Sequence, residues 1–385
     1  MALLWPHTPT VPTEWRPAGA AGERLRFRNL AALLAIVALS ACGGGSGKAV
    51  PSSSEEAGAA VSILQPEPSA SASASASAQA KALINGTIAF AKDGEIWAFN
   101  GSSAKQITNL AGAADPDWSP DGTSLAFDKQ DKNSADLYVM SYPGGSMKAL
   151  SNNSNSRVVE NNFWEMQPAW SPDGSTLAYV SDRGRLKSGT LDPAAWRITL
   201  SGGTRTQLNN PSQYAGGIDF PRWRPGHPNE LIYTSWTYDA QTLEAYGQLV
   251  LQDTQSNRTV SLTPANESSF HASWSPDGST IVYVKRQQGR DDLWTMAVPD
   301  LPATTRAPTP TATVSVEAPR QLLQGRMAHP AWSPDGDAIA YIGLKDGSLD
   351  LFVQPLTAEL TPDGQPKQLT TNAHLEGASS ISWMK

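Results

Sequence analysis

The phrase WSPDG recurs along the chain at nearly constant spacing, and that recurrence restricts the possible folds more than any other feature. It stands around Trp118 (PDWSPDGTSLAF), Trp170 (PAWSPDGSTLAYVSDRG), Trp274 (ASWSPDGSTIVYV) and Trp332 (PAWSPDGDAIAYI). A degenerate copy, PRWRPGHPNELIYTS, carries Trp223, and a truncated copy, SSISWMK, carries Trp383. Successive tryptophans are 52, 53, 51, 58 and 51 residues apart. A period of about fifty residues is one supersecondary unit repeated, and the architectures built from such units are propellers and solenoids.

Each unit reads as four short strands. Proline presets φ at the second turn position, glycine supplies a left-handed residue, and an aspartate such as Asp173 can cap the turn. The strand after the turn starts seven residues past the tryptophan in four copies, at Leu125, Leu177, Ile281 and Ile339. In the degenerate copy it starts eight past, at Leu231, so the GHPNE turn absorbs one extra residue. Third strands follow as EIWAF, DLYVM, WRITL, QLVLQ, DLWTM and DLFVQ, and fourth strands as segments such as KQITN and KQLTT.

Residues 86–110 hold a second, third and fourth strand with no first strand ahead of them, and residues 380–385 hold a first strand with nothing after it. Together they make one blade, which leaves no free sheet edges. The expected fold is therefore all-β: a six-bladed β-propeller of four-stranded antiparallel blades, its sixth blade closed by N- and C-terminal strands.

Repeats of the form PxWSPDGxxLAFxSxRxG, followed by DLYVM and LT, resemble those of the TolB-type propeller. The resemblance covers about residues 85–385, and the propeller domain is expected over residues 82–385. TolB itself has an α/β domain ahead of its propeller, which residues 1–81 lack the content to form. Peptidases of the prolyl-oligopeptidase type share similar repeats but bring a hydrolase domain, and no GxSxG elbow occurs here. The expectation is a stand-alone TolB-like propeller.

The amino terminus suggests a location. Arg16, Arg24, Arg26 and Arg28 precede residues 30–41, a 12-residue apolar run with Ser40 as its one polar member. Spanning a bilayer takes about 20 apolar residues, so this run reads as the core of a signal peptide over residues 1–41. It ends in Leu39-Ser40-Ala41-Cys42, which resembles the bacterial lipobox, with Cys42 the lipidation site. Cys42 is the single cysteine, so no disulfide framework is possible. Residues 43–81 (GGGSG, PSSSEE, SASASASASA) have the composition of a disordered tether, with a root-mean-square reach of about 35 Å. A Pro/Thr-rich stretch at about residues 299–320 accounts for the 58-residue step as a disordered loop between third and fourth strands.

Without residues 1–41 the chain holds 25 basic against 34 acidic side chains, a net charge of −9. An acidic surface lacking basic clusters argues against nucleic acid and against an electrostatic hold on anionic lipid. Membrane contact would then run through the lipid anchor alone, outside the cytoplasm.

The first strand of each blade should line the central channel. Three positions before each tryptophan the ring reads Asp115, Gln167, Phe220, His271, His329 and Ser380. Asp115, Gln167, His271 and His329 are the candidate ligand-binding residues, a nitrogen and oxygen donor set of the kind that takes a divalent metal. The set resembles in type the central metal site of oligogalacturonate lyases. Three readings stay open: a metal on His271, His329 and Gln167, a small ligand or peptide end, and a hydrated channel. His227 and His374 read as solvated surface. Trp97, Trp196 and Trp294, on third strands, are expected to pack between blades. Phe163, Trp164 and Met166 belong to an insertion, either as an exposed contact or folded back over the channel edge.

The function expected from these features is a lipid-anchored, monomeric, non-catalytic protein-binding or scaffold module of the cell envelope, with no required cofactor. The TolB resemblance implies an envelope protein partner such as a peptidoglycan-associated lipoprotein. The alternative is a carbohydrate-binding or lyase-type propeller using its central channel.

Overall fold

The computed structural model describes residues 84–153, 162–183, 192–210, 216–239, 241–242, 244–301 and 318–385. The signal-peptide, Cys42 and tether expectations, and most of the Pro/Thr-rich loop, lie outside the described residues. Six four-stranded antiparallel sheets form the propeller. Blades 1 to 5 span residues 113–149, 165–207, 218–261, 268–323 and 327–368. In the sixth, Ser382–Met384 pairs with Thr87–Lys92, which carries Glu95–Phe99 and then Ala104–Gln106. The ends of the chain do share a blade.

Among the described residues six apolar clusters fill the ring, each drawn from two neighbouring blades; the motif tryptophans join the cluster formed with the blade before them, buried except for Trp170, which is half-buried. Trp118 packs with Ala89, Ile96 and Phe127, and Trp332 packs with Val282, Leu293 and Tyr341. Trp97, Trp196 and Trp294 join these seams as half-buried members, as their third-strand positions predict. Hydrogen bonds cross the same seams. The Trp170 backbone N–H donates to the Asp117 carboxylate at 2.8 Å, and its indole N–H donates to the Asp117 carbonyl at 3.1 Å.

The motif's polar letters are explained by its turn. The Ser171 hydroxyl donates to Asp173 at 2.5 Å and accepts the Thr176 N–H at 3.0 Å, while Asp173 accepts the Ser175 N–H at 3.0 Å. Ser119–Asp121 and Ser275–Asp277 repeat the arrangement. Gly174 closes the turn with φ at 69°, where a side chain would be strained.

A second repeated lock went unread in the sequence. The acid opening a third strand accepts backbone N–H groups from the loop that leaves the fourth. Glu95 takes those of Leu110 and Ala111, Asp292 that of Gly325, and Asp350 those of Asn372 and Ala373. The polar residue that ends the fourth strand accepts the next third-strand N–H, as in Thr108 with Ile96, Ser151 with Leu137 and Asn209 with Ala195. Buried backbone donors in loops need such acceptors.

The degenerate copy replaces the motif serine with Arg224, which is 3% exposed. Its guanidinium donates to Gly278 O at 2.7 Å, Val298 O at 3.0 Å, Glu230 at 2.8 Å and Asp300 at 3.1 Å, above the Trp274 ring. The departure from the repeat is thus a staple between blades 3 and 4. His227 lies 3.7 Å from both Glu230 and Asp300, so it is only partly solvated, whereas His374 is exposed.

Candidate functional site

In blades 1 to 5 the innermost strand breaks register between the fourth and first residues before its tryptophan, as at Ala114/Asp117 and Met166/Ala169. At the centre of each break, Asp115, Gln167, Phe220, His271 and His329 are left-handed, with φ of 51°, 56°, 47°, 54° and 47°. Side chains rarely accept that conformation, which costs about 1–2 kcal/mol each. The bulge leaves the following residue out of the ladder, so Pro116, Pro168, Pro221 and Pro330 sit there without losing a bond.

These bulges bring the predicted ring together. The His271 and His329 rings stack at 3.8 Å, and Phe220 meets their edges at 4.6 and 4.7 Å. Three blades therefore touch at the axis. The other half of the ring is hydrogen-bonded. The Gln167 amide oxygen accepts the Phe220 N–H at 2.8 Å, and Asp115 accepts the Ser380 N–H at 2.8 Å. All six members are at most 7% exposed. The ring is buried at the axis. Among the described residues no three His, Cys, Asp or Glu side chains converge to share a cation.

Carboxyl groups surround the ring. Asp128 accepts the Gln167 N–H at 2.9 Å and shares a hydrogen bond with Asp115. Burial, and then the Asp115 charge, push the Asp128 carboxyl well above its ordinary range. Asp219 accepts the Trp236 indole N–H at 2.8 Å, and burial raises its carboxyl to about 7. Asp117 is raised by burial against the pull of Arg222. No spacing pattern announces these acids; only the bulge geometry collects them.

The described end of the insertion ahead of blade 2, residues 162–164, packs back against blades 1 and 2. Trp164 bridges Ala135 of blade 1 and donates its N–H to Asp182 at 2.9 Å, and Phe163 lies under the Arg183 guanidinium at 4.5 Å. Both rings are half-buried.

The TolB beta propeller domain family matches residues 90–320. A curated relative, the uncharacterized peptidase YuxL of Bacillus subtilis (strain 168), is 27% identical over 226 residues, 49% of this chain and 32% of the relative. The chain thus spans about a third of that relative's length. Among solved structures, TolB from Acinetobacter baumannii is similar with a TM-score of 0.55 at 17% identity, over 78% of this chain and 67% of that one. Hydrazine synthase of Kuenenia stuttgartiensis reaches 0.56 at 12% identity, over 83% of this chain and 50% of that one. At such identities the likeness is one of fold.

Proposed function

Because the chain belongs to the TolB β-propeller family, we propose that it works as a non-catalytic protein-binding module of the cell envelope, held outside the cytoplasm by a lipid on Cys42. The observation that supports this reading is the Phe220–His271–His329 contact, which packs three of the six ring positions against one another at the axis. Recognition is then left to the loops on the rigid faces. An envelope protein, such as a peptidoglycan-associated lipoprotein, is the partner most in keeping with the family. An acidic chain of net charge −7 offers nucleic acid no comparable hold.

Chemical crosslinking of the full chain in envelope fractions, followed by affinity capture, tests the reading. One stoichiometric envelope protein is expected, retained when His271 and His329 are both replaced by alanine and reduced by substitutions in the loops. Cys42→Ser is expected to move the protein from the detergent phase to the aqueous phase. Turnover of a peptide or polyuronate that disappears in the double histidine variant would sink the non-catalytic reading.

A further inference from the structure

We propose that Asn100 is a self-modification site, which converts in the folded protein, without an enzyme, to aspartate and isoaspartate. The chain holds two Asn-Gly pairs, Asn85-Gly86 and Asn100-Gly101. In such a pair the glycine nitrogen can close on the preceding carboxamide carbon, because no Cβ obstructs the five-membered ring. The fold treats the two pairs differently.

Asn100 opens the turn between Glu95–Phe99 and Ala104–Gln106 of the sixth blade. Its Oδ1 accepts the Ser102 N–H at 3.1 Å, the Ser103 N–H at 3.1 Å and the Ser102 hydroxyl at 2.8 Å. When the Gly101 nitrogen attacks Cγ, negative charge gathers on that oxygen. Fixed donors aimed at a developing oxyanion lower the barrier to its formation. The other two reacting atoms are unencumbered. Among the described residues neither Asn100 Nδ2 nor the Gly101 N–H donates to an acceptor, so neither gives up a bond on reacting. Asn100 is exposed, which lets ammonia leave and water enter.

The step balances with water as the one co-reactant. The Gly101 nitrogen loses its proton and bonds to Asn100 Cγ, the Cγ–Nδ2 bond breaks, and ammonia departs with that proton. Water then opens the cyclic imide at either carbonyl. One opening gives aspartate, whose carboxylate suits the same three donors. The other gives isoaspartate, which adds a methylene to the main chain inside a turn whose ends pair Phe99 with Ala104.

Asn85 has the same dipeptide and the opposite surroundings. Its carbonyl accepts the Trp383 indole N–H at 3.2 Å, and its Nδ2 donates to Asp335 at 3.5 Å. No donor serves its Oδ1 among the described residues. Gly86, at φ 114°, lies so close to the Met384 carbonyl that a Cβ would overlap it. Ring closure there has to disturb the seam between the chain ends, whereas at Asn100 it disturbs only a surface turn.

The test is peptide mapping by mass spectrometry of the full chain held at pH 8 over several weeks, with fragmentation that separates aspartate from isoaspartate. In the native protein the amide-to-acid mass gain is expected at least tenfold faster at Asn100 than at Asn85. In strong denaturant the two rates should converge to within about twofold, since the dipeptides are the same. Ser102→Ala removes the hydroxyl donor from an exposed position and should slow native Asn100 at least threefold, with the denatured rate unchanged. Equal native rates at the two sites, a tenfold ratio that persists in denaturant, or a parent-like native rate in Ser102→Ala overturns the assignment. The comparison of Asn100 with Asn85 is made within the parent chain, so it holds whether or not the variant folds.

Discussion

The backbone N–H of Ser380 donates to the Asp115 carboxylate at 2.8 Å, across 265 residues of chain. The Asp115 N–H returns a bond to Ser379 Oγ at 2.8 Å. The closing strand is thus fastened to the axis of blade 1 as well as laddered onto Thr87–Ala89. Deleting residues 380–385 removes the Ser380 bond to Asp115, the ladder onto Thr87–Ala89 and the buried Trp383. Loss of a buried tryptophan costs about 3–5 kcal/mol, a large share of a typical domain's stability. The denaturant midpoint is expected to fall accordingly, and a parent-like midpoint would refute closure by the termini.

Restoring the motif serine at the degenerate turn is expected to harm the protein. Arg224→Ser deletes the bonds to Gly278, Val298, Glu230 and Asp300 and leaves buried carbonyls unpaired. The expected loss is about 3 kcal/mol, and Arg224→Lys should recover only a minor part because one ammonium cannot reach all four acceptors. Thermal melts of both variants check this.

Stability should fall with rising pH through the titration of Asp219. Its carboxyl is raised to about 7 in the folded protein against 3.8 for an ordinary aspartate, so between those limits the folded state binds the extra proton. Its contribution is therefore most favourable below about pH 4 and is lost as pH approaches 7. Asp219→Asn keeps an acceptor for the Trp236 indole and should flatten that slope. With the side chain only partly buried, the expected gain at pH 8 is on the order of 1–2 kcal/mol. Denaturant titrations of parent and variant at pH 5 and pH 8 measure the difference.

The turn aspartates titrate with the opposite sign. The Ser275 hydroxyl and then the Ser279 N–H hold the Asp277 carboxyl below its ordinary range, and Asp173 is lowered in the same way by Ser171 and Ser175. Their stabilisation is present above the unfolded carboxylate range and is lost as pH falls through the depressed folded values. Asp277→Ala should cost about 0.5–1.5 kcal/mol at pH 7. The gap from the parent should narrow as pH is lowered below the unfolded carboxylate range, where the parent begins to lose the same interaction.

The blade count and its closure were legible because Trp118, Trp170 and their successors sit at a fixed period and the two terminal fragments complement each other. The ring members were legible for the same reason, since one offset from each tryptophan gives Asp115 through Ser380. Their state was not. Periodicity places residues at the axis, but it does not show that a left-handed bulge packs His271 on His329 beneath Phe220 and removes them from water. The prolines two positions before Trp118, Trp170, Trp223 and Trp332 were the available signal, because a proline inside a strand marks a place where the ladder is broken. Arg224 looked like decay of the repeat because its partners, from Gly278 to Asp300, lie in another blade.

The three-residue pairing of Ser382–Met384 with Thr87–Ala89 also sets how the molecule answers a mechanical pull. Thr87 faces Met384 in antiparallel register, so the chain enters and leaves this seam at the same end. Force applied between the two termini acts on Thr87 and Met384 first and peels the pairs one after another, instead of shearing all three at once. In an open stack of repeats, tension frays the outermost unit and spares the rest. Here the peeled strand takes with it the Ser380 attachment to Asp115, so the first rupture reaches the axis and opens the whole hoop.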